Sequence, residues 1–182
     1  MKVLQINLHH SKAASANLLI HLAQGGADIV LIQEPWILEN RICGIGTNDY
    51  KLISNTDSGR PRSSLDQTAV SLEIDGKTVW VVSSYMAHDH IGNPPPEILK
   101  QLVITAAERM TGVVIGADAN AHHTIWGSSD INERGESLFD FILDYNLHIC
   151  NTGVEPTFII AGRKEVLDIT LTVENTDLEI KD

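Results

Sequence analysis

A mixed α/β domain is what this sequence predicts, and three observations predict it. Apolar runs of strand length alternate with segments of helical spacing. Asp75-Gly76, flanked by the apolar-alternating runs 68–74 and 77–84, is a strong hairpin signal. The chain has 182 residues and is 43% hydrophobic, which suits one domain with a sizeable core and argues against disorder.

Taken in order, residues 3–7 read as a first strand. Residues 15–24 read as a helix, with Leu18, Leu19, Leu22 and Ala23 at helical spacing and Gly25-Gly26 as its stop. Residues 28–33 form the second strand and 50–54 a short third. Residues 56–64, rich in Ser, Gly, Pro and Asp, are loop by composition. The hairpin follows. Pro94-Pro95-Pro96 precedes a helix from about Glu97 to Met110, and residues 112–118 are the next buried strand. An amphipathic helix is expected over 136–145, with Leu138, Phe139, Ile142 and Leu143 facing inward. Strands at 147–151 and 167–173 close the domain. No repeat, low-complexity tract or interdomain linker interrupts the pattern, so 1–182 is expected to be a single domain.

Two cysteines, Cys43 and Cys150, suggest neither a disulfide scaffold nor a zinc site, and they fit a reducing compartment. The start Met1-Lys2-Val3-Leu4-Gln5 lacks the apolar run of a signal peptide, and no segment is long enough to span a bilayer. The formal net charge of −11 weighs against nucleic acid as a ligand, because phosphate binding normally uses a basic face. A bound cation, or basic domains fused to this one, would offset that charge locally.

The strand ends carry the chemistry. Val113-Val114-Ile115-Gly116-Ala117 runs into Asp118-Ala119-Asn120, the first strand ends in Asn7, and the second ends in Gln33-Glu34. Alternate residues of a strand share a face, so Asp118 and Asn120 are expected to meet one cavity beyond the strand's carboxyl end. Three apolar strands delivering Asn, Glu and Asp/Asn suggest a site for a hard cation. Spacing alone is served slightly better by Glu34 as a loop cap or the partner of a lysine. It is served as well by Asn7 as a turn residue and Tyr85 as a packing residue at a sheet edge.

Asn7, Gln33-Glu34, Ser84-Tyr85, Asp118-Ala119-Asn120 and Leu167-Asp168 fall in the order of the endonuclease/exonuclease/phosphatase superfamily, which the chain resembles from about Val3 to Thr172. Finer motifs resemble its apurinic-type branch, the endonuclease domain of non-LTR (LINE-like) retrotransposons. These are Ile32-Gln33-Glu34-Pro35-Trp36, Ala119-Asn120-Ala121-His122, Trp126-Gly127, Arg134-Gly135 and Pro156-Thr157-Phe158. The resemblance implies a DNase I-like four-layer α/β sandwich, two mixed sheets packed face to face with helices outside. It implies a divalent-metal-dependent DNA endonuclease that nicks target DNA to prime reverse transcription. Glu34 and Asn7 would hold Mg2+ (or Mn2+). Asp118 would act as base or water-orienting group, and Asn120 would hold the scissile phosphate. Tyr85 would donate to a phosphate oxygen, and Asp168 would orient a catalytic imidazole. His9, His122 and Trp126 would face substrate, with Trp126 equally well read as a packing residue. The implied setting is a monomer without membrane contact, acting on chromosomal DNA in the nucleus beside a reverse transcriptase domain of the same polyprotein.

The chain departs from the family pattern twice. The terminal Ser-Asp-His strand has no counterpart, and only Ser63-Ser64-Leu65-Asp66-Gln67 stands where relatives place a further strand and loop, between 62 and 68. A catalytically inactive, truncated domain that retains the fold and metal or nucleic-acid binding is therefore the alternative expectation. A sugar- or lipid-phosphate phosphatase or an exonuclease is a third, which the retrotransposon-type motifs disfavour.

Overall fold

The computed structural model describes residues 1–39, 41–46, 49–54, 66–74, 76–151 and 153–173. The elements run β1 (Val3–Asn7), α1 (Lys12–Ala23), β2 (Ile29–Gln33), β3 (Ile37–Leu38), β4 (Arg41–Ile42), β5 (Gln67–Ile74), β6 (Lys77–Tyr85), α2 (Glu97–Glu108), β7 (Gly112–Asp118), α3 (Glu133–Asp144), β8 (Leu147–Ile149), β9 (Phe158–Ile160), β10 (Arg163–Glu165) and β11 (Asp168–Val173).

A five-stranded mixed sheet has the order β5-β6-β7-β11-β8, and β1 and β2 form a separate parallel pair. Period-two alternation sorts the strand side chains into layers. From β2, Val30 and Ile32 join Leu18 and Leu22 of α1, whereas Ile29 and Leu31 meet Val79, Val81 and Val114 of the larger sheet. The opposite face of the larger sheet supplies Val82, Val113, Ile115, Ile169 and Leu171, which pack on Leu99 and Val103 of α2 and Leu138, Phe141 and Ile142 of α3. The result is four layers: α1, the β1–β2 pair, the five-stranded sheet, then α2 and α3. This is the DNase I-like sandwich that the sequence resemblance implied. The two sheets approach closely at Gly116, where an added Cβ would lie 2.6 Å from Leu31 Cδ1 and 2.8 Å from Gln5 Oε1.

Several boundaries differ from the sequence reading for local reasons. Helix α1 begins three residues earlier than expected, because Ser11 caps it by accepting from the Ala14 N–H at 3.2 Å. Helix α3 likewise begins at Glu133, with Asn132 accepting from the Gly135 N–H at 2.8 Å. Leu143, expected inside, is 61% exposed, and Phe141 takes the core position. Residues 50–54, expected as a strand, are not strand in the structure; the Tyr50 hydroxyl donates to the Ala27 carbonyl. The hairpins β3–β4 and β9–β10 are additions, too short to show as periodicity. The loop expected at 56–64 lies outside the described residues, and so does most of the segment between 62 and 68.

Candidate active site

Strand register builds the site. Asp118 is the common neighbour of Tyr85 on β6 and Asp168 on β11, so three polar side chains stand in a row across the larger sheet. Asn7 on β1 pairs in register with Gln33 of β2, and Glu34 follows immediately. The two sheets thus deliver their polar ends to one cleft of about 390 Å3, lined among others by Asn7, His9, Glu34, Tyr85, Asp118, Asn120 and Asp168.

Buried amides hold the sheets in this relation. Gln33 Nε2 donates to Ser83 Oγ at 3.0 Å and to the Gly116 carbonyl at 3.3 Å. Gln5 Nε2 donates to Asp168 Oδ1 at 3.1 Å. Across the cleft, Asn7 Nδ2 donates to Asp118 Oδ2 at 2.6 Å, while Asn7 Oδ1 accepts from the His9 N–H at 2.7 Å. The Asn120 side chain and N–H donate to Asp118 Oδ1 at 3.1 and 3.3 Å.

Burial and crowding of carboxylates set the charge states. Burial pushes the Asp118 carboxyl up to about 6; the charge of Asp168 adds to this, the Asn7 and Asn120 hydrogen bonds oppose it, and Glu34 raises it further. Asp168 is raised by burial against hydrogen bonds from Thr157 and Gln5. Tyr85 is raised by burial and then by the charge and hydrogen bond of Glu34, so its hydroxyl keeps its proton. Glu34 is mostly buried and faces His9 Nδ1 at 3.4 Å and His10 Nε2 at 3.6 Å.

A hard divalent cation suits this donor set. Three carboxylates and an amide oxygen converge without a lysine or arginine among the lining residues, and oxygen ligands are what Mg2+ prefers. A second group, His122, Asp130 and Glu165, also brings potential ligand atoms within 4.8 Å of one another. A fixed cation already serves that group. Arg163 donates to His122 Nε2 at 2.8 Å and to Glu165 Oε1 at 3.3 Å.

Two residues expected on the substrate side lie elsewhere. Trp126 is 2% exposed and packs in the main core, because the short 3-10 turn 124–126 turns it inward. His122 is buried beside Asp130, with Nδ1 at 2.6 Å from Asp130 Oδ1. Neither lines the cleft, whereas His9 does.

The structure also explains motifs whose role the sequence left open. Arg134 donates to the backbone carbonyls of Asn120 at 2.9 Å and Met86 at 2.8 Å, clamping the turn that follows β7. Gly135 has the His122 carbonyl 1.7 Å from where a Cβ would stand, so a side chain there is excluded. Thr157 Oγ1 accepts from the Leu167 and Asp168 N–H groups at 3.0 and 3.1 Å and sets the entry of β11. The signals were present as Arg134-Gly135 and Pro156-Thr157-Phe158, but their partners are distant in sequence.

Two facing sheets with helices outside them, and polar strand ends gathered in one cleft, form a DNase I-like α/β sandwich. Residues 79–181, more than half of the chain, match the family described as endonuclease-reverse transcriptase, and the chain belongs to that family. Its structure is similar to the endonuclease domain of TRAS1, a telomere-specific non-LTR retrotransposon, with 27% identity and a TM-score of 0.70 over 96% of this chain and 85% of that one. No curated protein matches the chain. Family and fold together place it among the nucleases.

Proposed function

We propose that this chain is a divalent-metal-dependent DNA endonuclease that nicks target DNA to prime reverse transcription. The observation that carries the reading is the convergence of Asn7, Glu34, Tyr85, Asp118, Asn120 and Asp168 in one cleft from strands of two sheets. The similarity to a retrotransposon endonuclease supports DNA as substrate, and the family description supports a reverse transcriptase domain in the same polyprotein. Action on chromosomal DNA would place the protein in the nucleus.

Glu34 and Asn7 would hold Mg2+ or Mn2+, which supplies positive charge to a phosphate oxygen when bound. Asp118, raised toward neutrality, accepts the proton of the attacking water. A new oxygen–phosphorus bond forms while the bond to the leaving sugar oxygen breaks, and that oxygen takes a proton from solvent. A primer requires the leaving oxygen to become a 3′ hydroxyl. Asn120 and Tyr85 donate to the phosphate, and neutral donors suit an anion that a further carboxylate would repel. Asp168 stands beside Asp118 in the ladder, and its charge raises the basicity of that carboxylate.

The test is conversion of supercoiled plasmid to open circle by the purified chain in Mg2+, Mn2+ or EDTA, beside Asp118→Asn. Nicking is expected only with metal, and the variant should be about a hundred- to ten-thousandfold slower. No nicking in either metal, together with retained metal binding, would establish the inactive-domain reading instead.

A further inference from the structure

A phosphodiester entering this cleft meets an unfavourable field. Glu34, Asp118 and Asp168 line it, and no lysine or arginine does among the described residues. The other polar groups are neutral amides and hydroxyls, with one exception, the imidazole of His9. Hydrolysis adds negative charge to the equatorial oxygens of phosphorus, and donors aimed there in advance supply much of the stabilisation.

His9 is held for such a task. Its N–H donates to Asn7 Oδ1 at 2.7 Å, which fixes its backbone beside the proposed metal ligands. Its φ of 47° is left-handed, a conformation that non-glycine residues adopt at a cost and that clusters at functional sites. Glu34, at φ 45°, and Asn120, at φ 44°, share this backbone state on the cleft wall. The ring carries Nδ1 at 3.4 Å from Glu34 Oε2, yet the side chain is 66% exposed, so it overhangs the mouth.

We propose that His9 donates a ring N–H to a non-bridging oxygen of the attacked phosphate and stabilises the charge that develops there. The inference rests on the nuclease reading and deepens it. Hydrogen-bond donation is the whole of the role: no covalent bond to His9 forms or breaks. Direct ligation of the metal is the competing role, and a nitrogen ligand is a poor match for Mg2+.

Three measurements separate these possibilities. Single-turnover nicking by His9→Ala should fall about a hundred- to a thousandfold, the usual cost of one aimed donor. His9→Gln keeps an N–H at similar reach and should recover part of that rate. The calorimetric Mg2+ heat should be the same in wild type and His9→Ala. In Asp118→Asn protein carrying 15N-histidine, the His9 ring resonances should move when a short DNA duplex is added in Mg2+. Unchanged nicking by His9→Ala overturns the proposal while leaving the nuclease reading intact. Loss of the Mg2+ heat overturns it in favour of ligation. Should the wild-type chain not nick at all, the nuclease reading falls, and the 15N signal decides alone. A ring that stays unmoved by DNA then sinks the proposal, and one that moves keeps His9 as a phosphate donor in a binding domain.

Discussion

Glu34 combines a left-handed backbone, a mostly buried carboxylate and two histidine neighbours. A residue in that conformation costs about 1–2 kcal/mol relative to an ordinary one, so the surrounding contacts have to enforce it. Glu34→Ala removes the central oxygen ligand of the proposed metal site and should abolish most of the Mg2+ heat in calorimetry; an undiminished heat would remove Glu34 from the site. Asp118 sets its proposed role as base against stability. Its folded carboxyl lies near 6, above the ordinary 3.8, because burial and Asp168 disfavour the charge. The native state therefore binds this proton more tightly than the unfolded chain. That contribution is complete below about pH 3.8 and is lost as pH rises through about 6. In EDTA at pH 8, Asp118→Asn should thus be more stable than wild type, by no more than about 3 kcal/mol, and the gain should vanish near pH 3.5. Thermal melts at the two pH values decide it, and a variant less stable at pH 8 refutes the account.

At the scale of elements, the turn after β7 and the β9–β10 hairpin are locked together. Ser129 donates its N–H and its hydroxyl to Glu165 at 2.9 and 2.7 Å, and Ser128 Oγ donates to the Val166 carbonyl at 2.7 Å. The Ser129 hydrogen bonds, opposed by burial and helped by Arg163, hold the Glu165 carboxyl down at about 2. A depressed carboxyl stabilises the fold above its unfolded value near 4.5, and the benefit is lost as pH falls from there toward 2. Glu165→Gln should cost about 1.5–3 kcal/mol at pH 7, the range for a charge-assisted hydrogen bond, and should flatten the melting profile between pH 4.5 and 2. An unchanged acid limb in that variant would show that Glu165 is not what the hairpin leans on. Helix α3 meets the same turn through Gly135. Gly135→Ala pushes a methyl into the His122 carbonyl, and overpacking of this kind typically costs about 1–3 kcal/mol. Since that shift also moves Asn120, the substitution should lower nicking as well as the melting temperature; a stable, fully active Gly135→Ala protein would disprove the coupling.

For the whole molecule, the formal charge of −11 and three carboxylates in one cleft make the metal-free protein self-repelling at its functional end. A cation that binds only the folded state stabilises it by mass action, about 2.7 kcal/mol at a hundred times its dissociation constant. For a chain of this size that is a rise of about 5–10 °C in melting temperature, to be read in a Mg2+ titration by calorimetry. The rise should disappear in Glu34→Ala, and a rise that survives there would place the cation elsewhere.

Much of the architecture was legible in sequence because it rests on local periodicity. The strands β1, β2, β6 and β7, the antiparallel pairing of β5 with β6 and helix α2 follow from apolar spacing and turn residues. The polar strand ends Asn7, Glu34, Asp118 and Asn120 stood out because apolar strands ended in them. The family motifs then led to the same cleft. Tertiary structure alone decided the rest. Register across three strands set Tyr85, Asp118 and Asp168 side by side, and the facing of two sheets brought Asn7 to Asp118. Packing turned Trp126 and His122 inward and left His9 over the cleft, and Arg134 reached carbonyls 14 and 48 residues away. Sequence reports what each residue prefers among its near neighbours. Burial, charge coupling and the partners of a long side chain are set by residues that only the fold brings within reach.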